Sequence, residues 1–286
     1  MPINRRKFIT LLGGASLAST LALELKGKAM KQPVLFLGHG SPMNAIAENN
    51  FTKKLNKLAQ EIPIPKAILI ISAHWETKGS WLTGMEKPKT IHDFYGFPKS
   101  LYEVQYPAPG SPELVSKIQR EIKTPSIHND QNQWGLDHGT WSVLRHIYPN
   151  ANIPIVQLSI DKTKPFEYHY ELGQQISFLR EQGVLIMGSG NIVHNLKKIS
   201  WQEDAPIHGW ALEFDQWVKK RAQERDFESL VKKATNTKAG QLSIPTPEHY
   251  LPLLYVLGAG GKDGDLIFDI EEIQNASIAM RSFRLT

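Results

Sequence analysis

The stretch from Ala67 to Trp75 reads AILIISAHW and decides the fold class of this 286-residue chain. Residues 67–72 form a continuous run that is apolar up to Ser72 and rich in β-branched side chains, which is typical of a central strand covered on both faces. A short apolar run at 33–38 predicts another buried strand, further strands are predicted at 153–160 and 184–188, and closing strands at 266–270 and 276–284. Helical spacing predicts helices over 51–61, 112–122, 139–148, 165–181, 206–234 and 249–257. Strands that alternate with helices predict an α/β fold with a central, mostly parallel or mixed sheet flanked by helices.

The composition fits one globular domain, which we place at 29–286. Hydrophobic residues make up 41% and charged residues 21% of the chain, and no cysteine is present. The missing cysteines exclude disulfides, thiolate catalysis, iron–sulfur clusters and cysteine-type zinc sites. Any transition metal must therefore be held by histidine and carboxylate side chains. Residues 87–110, rich in Pro, Gly and aromatic residues, are predicted to form a long ordered loop.

The first 28 residues are interpreted as a twin-arginine export signal. Arg5 and Arg6 precede a short, weakly apolar stretch that Gly and Ser residues interrupt, so it is too short to span a bilayer. This interpretation predicts a periplasmic protein that is exported folded; a cytosolic protein with a basic tail is the alternative. The segment carries a net charge of +4 and the remaining chain only +1, so the charge gives no evidence of nucleic-acid binding.

Five histidines lie where predicted strands end or loops lead into helices: His39, His74, His138, His194 and His249. In open α/β sheets the carboxyl ends of the strands form the binding crevice, so these imidazoles are expected to share one metal site there. Glu248 is the only obvious carboxylate beside them. The other histidines have weaker context: His128, His146, His169 and His208 are expected to be structural or solvated, and His92 is intermediate.

Ligand type alone leaves the chemistry open. A histidine-rich site suits a zinc hydrolase that uses a metal-bound water, a non-haem Fe(II) oxygenase, or a periplasmic protein that binds metal without catalysis. The sequence has no His-Glu-x-x-His, no Gly-x-Ser-x-Gly and no Walker loop, which would have pointed to other enzyme classes.

Seven segments in order resemble the class III extradiol ring-cleavage dioxygenases, and most closely their 4,5-DOPA extradiol branch. The resemblance spans about residues 33–284. Its segments are 38–43 (GHGSPM), 72–75 (SAHW), 91–94 (IHDF), 106–110 (YPAPG), 137–139 (DHG), 190–195 (GNIVHN) and 245–252 (PTPEHYLP).

The resemblance implies one α/β domain with one divalent metal per chain, Fe(II) for activity and Zn(II) as a plausible bound species. It implies His39 and His74 as metal ligands and His249 as the third, with Glu248 as the alternative. His194 matches a histidine that is a catalytic base in some members and lies on the metal in the DOPA branch. His138 matches a catalytic histidine that contacts substrate or oxygen.

The implied reaction inserts O2 into a catechol ring, such as that of L-DOPA, and gives a muconic semialdehyde. The metal's charge would lower the pKa of the phenol so that a nearby histidine can take the proton. Aromatic walls for a ring-sized pocket are expected from Trp75, Phe94, Tyr95, Phe97 and Trp141. The partners are thus a small catechol and O2, and the sequence leaves the oligomeric state open.

Overall fold

The structure is a computed structural model that describes residues 30–202 and 205–286. The predicted signal segment 1–28 lies outside the described residues, so export stays a prediction. Within the described ranges, every helix is too short or too polar to cross a bilayer.

An eight-stranded mixed sheet forms the centre of a single α/β domain, as predicted. Its order is β4-β3-β5-β2-β6-β1-β10-β7, and the four central strands β5, β2, β6 and β1 run parallel. The strands of the chain are β1 Val34–Gly38, β2 Ala67–Thr77, β3 Ser80–Thr83, β4 Ile127–Asp130, β5 Ile155–Asp161, β6 Val184–Gly190, β7 Leu266–Ile270, β8 Ile273–Gln274, β9 Ile278–Ala279 and β10 Ser282–Leu285. Antiparallel pairs flank the parallel centre, because β3 pairs antiparallel with β5 on one side and β10 pairs antiparallel with β1 on the other.

Helices cover both faces of the sheet. They are α1 Asn50–Glu61, α2 Lys99–Tyr102, α3 Pro112–Glu121, α4 His138–Ile147, α5 Phe166–Ile176, α6 Gly209–Gln223, α7 Phe227–Lys232, α8 Lys238–Ser243 and α9 Leu251–Gly260. Alternate residues of β1 enter different hydrophobic clusters: Val34 packs into the cluster that contains α9, and Leu35 into the cluster that contains α1 and α4. This alternation follows from the period of two along a strand, and it explains why β1 is apolar at every position.

Three predictions on secondary structure need correction. The single helix predicted over 206–234 is two helices, because Arg225 adopts a positive φ of 57° and Asp226 then caps α7 through its side chain. Strands β3 and β4 were not predicted, since each has only four residues. The closing strand predicted at 276–284 is split between β9 and β10. The loop at 87–110 is confirmed apart from the one-turn helix α2.

The carboxyl ends of the parallel strands carry the predicted site. His39 follows β1 directly, and His194 lies four residues after β6. Strand β2 runs past residue 72, where it was expected to end, and its register with β5 shifts between Ile71 and Glu76. His74 therefore lies in an irregular part of β2 at the same edge of the sheet.

Candidate metal centre

All five predicted histidines come together at this edge. The ring centre of His39 lies 5.0 Å from that of His74, 5.3 Å from that of His249 and 5.7 Å from that of His138. The ring of His194 stacks on His249 at 3.5 Å and 7°. Potential ligand atoms of His39, His74 and His138 lie within 4.8 Å of one another, and so do those of His194, Glu248 and His249.

The hydrogen bonds of His39 fix which ring nitrogen carries its proton. Its Nδ1 lies 3.0 Å from Oγ of Ser189, whose hydroxyl donates to the carbonyl of Gly139 at 2.5 Å. A serine hydroxyl has one proton, so Ser189 must accept from His39 Nδ1–H. A neutral His39 then has an unprotonated Nε2, and this nitrogen faces Nε2 of His74 at 3.2 Å.

His74 and His249 also have their Nδ1 atoms beside acceptors. Nδ1 of His74 lies 3.3 Å from Oδ2 of Asp93, and Nδ1 of His249 lies 3.0 Å from Oε1 of Glu248. A carboxylate beside Nδ1 favours the tautomer with the proton on Nδ1 and leaves the Nε2 lone pair available, as in metal-bound histidines. Two such lone pairs 3.2 Å apart repel unless a proton or a cation lies between them.

The spacing of His39, His74 and His249 fits one metal ion. Their ring centres form a nearly equilateral triangle with sides of 5.0, 5.3 and 5.1 Å. Three imidazoles that each place a nitrogen about 2.1 Å from a tetrahedral metal have ring centres roughly 5.2 Å apart. The ring centres are thus spaced as around one divalent ion, and Glu248 contacts His249 from behind. The ligand atoms of His39 and His74 that lie within 4.8 Å of a third histidine are grouped with His138, which lies on the same side of the site.

Asp93 joins two of the histidines through one carboxylate. Its Oδ1 accepts the backbone N–H of His138 at 2.9 Å, and its Oδ2 lies 3.0 Å from Nδ1 of His138 as well as beside His74. Burial raises the pKa of Asp93, but contacts with His138 and then the charge of His74 outweigh it and lower this pKa to about 2. Asp93 is thus ionised and can stabilise positive charge on either ring.

Burial disfavours the charged form of His39, His74, His194 and His249. Burial is the main cause that lowers the pKa values of His39, His74 and His249 far below 6.5, and repulsion among the rings lowers them further. Burial, with repulsion from His138, lowers the pKa of His194 to about 4. Neutral imidazoles are the form that binds metal, so the site needs no proton release to accept an ion.

Two glycines let the backbone approach the histidines. A Cβ on Gly139, in the first turn of α4, would lie 2.5 Å from Oγ of Ser72 and 2.9 Å from the ring of His74. A Cβ on Gly190 would lie 2.2 Å from the carbonyl of His249. These positions hold α4 and the loop before α9 against the ends of β2 and β6.

The histidines form one side of a cavity of about 470 Å³. Phe94, Tyr95 and Phe97 line it as expected. Trp75 and Trp141 do not line it, which corrects that expectation. Trp75 stacks on Trp134 at 5.8 Å, and the buried Trp141 donates its indole N–H to the carbonyl of Ile91.

The remaining histidines have structural contacts or are exposed, which was the expectation for all of them except His92, whose role was left intermediate. Nε2 of His146 contacts the carbonyl of Asn44, that of His92 contacts the carbonyl of Val104, and that of His208 contacts the carbonyl of Lys198. His169 is fully buried against the hydroxyl of Tyr255, and the exposed His128 lies beside Trp81, with the two rings tilted by 35°.

Sequence reasoning missed the side chains behind the histidines. Asp93 lies in the loop 87–110 and Ser189 within β6, so neither follows a strand end. Asp137 was also missed, although it caps α4 and accepts the hydroxyl proton of Ser72 at 2.7 Å. A carboxylate next to a histidine in the sequence, as in His92-Asp93 and Asp137-His138, was the one available signal.

Comparison with known proteins places this geometry in a family. Residues 33–281 match the family described as the catalytic LigB subunit of aromatic ring-opening dioxygenase. The chain belongs to this family. A 4,5-DOPA dioxygenase extradiol of Escherichia coli (strain K12) is 44% identical over 257 residues, which cover 89% of this chain and 95% of that protein. One of Beta vulgaris is 39% identical, with 80% and 87% covered.

A solved structure agrees with the sequence relatives. An uncharacterized protein from Escherichia coli K12 superposes with a TM-score of 0.79 at 40% identity, and covers 89% of this chain and all of that one. The chain is therefore an extradiol ring-cleaving dioxygenase of the LigB family. These relatives lend no support to a zinc hydrolase or to a binding protein without catalysis.

Proposed function

We propose that this LigB-family protein is an Fe(II)-dependent dioxygenase that opens the ring of a catechol of the L-DOPA type. The observation that carries the proposal is the triangle of His39, His74 and His249, whose Nδ1 atoms each have an acceptor and whose Nε2 atoms are left for a metal. The similarity to the 4,5-DOPA dioxygenases of Escherichia coli and Beta vulgaris supports a catechol substrate, and ring opening beside the diol would give a muconic semialdehyde.

These three histidines would hold one divalent metal. Fe(II) in this place would bind the catechol oxygens and O2 next to each other and make the phenol more acidic. Zn(II) would bind the same nitrogens and compete with iron, since it stands above Fe(II) in the usual order of affinity. Ser189, Asp93 and Glu248 would orient the rings from behind.

His138 and His194 would move protons. His194 is neutral because burial lowers its pKa to about 4, so one of its ring nitrogens can accept the proton of a catechol hydroxyl. The ionised Asp93 lies at Nδ1 of His138 and stabilises a protonated ring, so His138 would donate a proton toward the oxygen. Stacking on His249 places His194 beside the ligands, and a ligand role for His194 is the other possibility.

Anaerobic loading with Fe(II), followed by oxygen uptake on L-DOPA, tests the proposal. Oxygen consumption with a coloured product is expected. His39→Ala and His74→Ala should each lose bound metal and activity together, while His128→Ala, a surface histidine outside the cavity, should keep both. Stoichiometric iron and full turnover in either of the first two variants would show that the metal lies elsewhere.

A second pair of variants separates the roles of the other two histidines. His138→Ala should bind iron nearly as well as the parent and lose about 10²–10⁴-fold in rate, the usual contribution of an acid–base group. His194→Ala should behave in the same way if it is a base, and should lose iron if it is a ligand. Unchanged turnover of both variants with iron bound would refute the proton transfers.

We also propose that the protein reaches the periplasm through the twin-arginine route, which carries folded proteins. The paired Arg5 and Arg6 support this proposal.

A further inference from the structure

The wall of the cavity beyond the histidines is apolar. Phe94 and Phe97 meet edge to face, with their ring centres 5.3 Å apart at 82°. Ile199 and Ile278 also line the cavity. A volume of about 470 Å³ is within the range of pockets that enclose ligands much larger than a catechol ring. Space therefore remains for a ring substituent along this wall.

The rim of the cavity exposes large apolar side chains. Tyr95, Leu196 and Trp201 line the cavity, and they are 92%, 61% and 73% exposed. Exposed apolar surface that is grouped around one opening marks a binding site more often than chance placement does. A substrate that covers these side chains would remove their apolar surface from water, and this burial would favour binding.

The described residues that line the cavity offer no free counter-ion to a charged substituent, and the polar side chains apart from the histidines and Asp93 are Ser41, Tyr95 and Asn275. Among the described residues that line it there is no Lys and no Arg, and Asp93 is the only carboxylate. Both oxygens of Asp93 are already engaged by His138 and His74. Lys197 and Lys198 are exposed beside Leu196 but do not line the cavity. A charge drawn along this wall would lose water without gaining a counter-ion, which is unfavourable.

We propose, on the basis of the function proposed above, that the cavity selects catechols whose ring substituent is neutral and apolar. Phe97, Ile278 and Trp201 determine this specificity. L-DOPA is then a substrate of the right ring chemistry that carries an unfavourable side chain. Each methylene buried against the wall raises kcat/KM about fourfold, the equivalent of roughly 0.8 kcal/mol per CH₂.

A set of catechols with side chains of similar length tests the proposal. The substrates are 4-propylcatechol, the methyl ester of dihydrocaffeic acid, dihydrocaffeate, dopamine and L-DOPA. With the iron-loaded enzyme, kcat/KM for 4-propylcatechol should exceed that of each charged compound by at least roughly tenfold, with the neutral ester between them. Calorimetric titration of the zinc-loaded protein without oxygen should show the same order of Kd values, independently of turnover.

The possible failures can be told apart. Oxygen uptake with L-DOPA or another charged compound equal to or better than 4-propylcatechol would overturn the specificity and leave the proposed function intact. No oxygen uptake with any of the five catechols would overturn the proposed function itself, and the specificity with it.

Substitutions in the cavity wall test whether these side chains cause the preference for apolar ring substituents. Trp201→Ala should lower the ratio of kcat/KM for 4-propylcatechol to that for catechol about threefold to tenfold. Ile64→Ala, which also removes an exposed apolar side chain but does not line the cavity, should leave that ratio unchanged. A selective loss of L-DOPA turnover in Lys197→Ala or Lys198→Ala would mean that a lysine reaches the substrate, and it would overturn the proposal.

Discussion

Replacing Asp93 by Asn should weaken metal binding and slow catalysis through two different histidines. The carboxylate accepts the backbone N–H of His138 and also faces Nδ1 of His74 and of His138. In Asp93→Asn one of these positions is taken by an NH₂ group, which is a donor. If it faces His74, that ring is driven to the tautomer with its proton on Nε2, the nitrogen turned toward His39.

The size of the effect follows from the charge of Asp93. Its pKa falls from the ordinary 3.8 to about 2, although burial alone raises it. The direction of this shift shows that the contacts with the histidines outweigh the cost of burying the carboxylate, a net effect on the order of a few kcal/mol. We therefore expect Asp93→Asn to lower metal affinity about 10- to 100-fold, as is usual for a partner of a ligating histidine.

A double-mutant cycle separates the two routes. In the background of His138→Ala, Asp93→Asn should still weaken metal binding, because that effect passes through His74. It should cause little further loss of kcat at saturating iron, because that effect passes through His138. Metal titration and oxygen uptake on all four proteins provide the measurements. Metal affinity within twofold of the parent, or fully additive losses of kcat, would refute the role assigned to this carboxylate.

Three other predictions follow from separate features of the chain. Gly139→Ala should lower the free energy of unfolding by about 1–3 kcal/mol through overpacking and should weaken metal binding, whereas Gly209→Ala, where nothing lies within 4 Å of the added carbon, should be neutral or slightly stabilising in the same denaturant titration. His169→Asn should make the stability of the metal-free protein fall less steeply between pH 6.5 and 4. Burial lowers the pKa of His169 to about 4, so in this pH range only the unfolded chain binds the proton, and the parent loses about 1.4 kcal/mol of stability per pH unit through this residue. Parallel stability curves for the two proteins would contradict this prediction. Changing Arg5 and Arg6 together to Lys should keep the protein in the cytoplasm, and normal periplasmic appearance in cell fractionation would defeat the export proposal.

The strands of the parallel centre could be predicted because they are buried on both faces. Burial of that kind favours continuous apolar runs, as in β1 and in residues 184–187 of β6. Strand β5 is buried along its whole length but contains Gln157, Ser159 and Asp161. Strands β3 and β4 have four residues each, which is too short for a pattern to stand out. The break between α6 and α7 depends on the backbone of Arg225, and an apolar spacing cannot reveal a positive φ.

The histidines could be predicted for the same reason, since the ends of parallel strands meet at one edge. The roles of Asp93 and Ser189 could not be predicted, because they depend on which ring nitrogen of a histidine each side chain faces. Trp75 was misplaced for a related reason: it alternates along β2 and faces Trp134 instead of the cavity. Position along the chain thus predicted where the site lies, but not which polar side chains orient it.

The two carboxylates behind the histidines also set the electrical balance of the site. The three rings of the triangle are neutral, while Asp93 touches one of them and Glu248 another. The two negative charges would balance a divalent cation held by the three Nε2 atoms, although each carboxylate contacts a histidine ring and neither contacts the ion. A neutral catechol that passes one hydroxyl proton to His194 would become a monoanion beside a protonated imidazole, and these two new charges would cancel. The site would thus reach its loaded state without a net change in buried charge, which is the condition under which a low-dielectric interior opposes binding least.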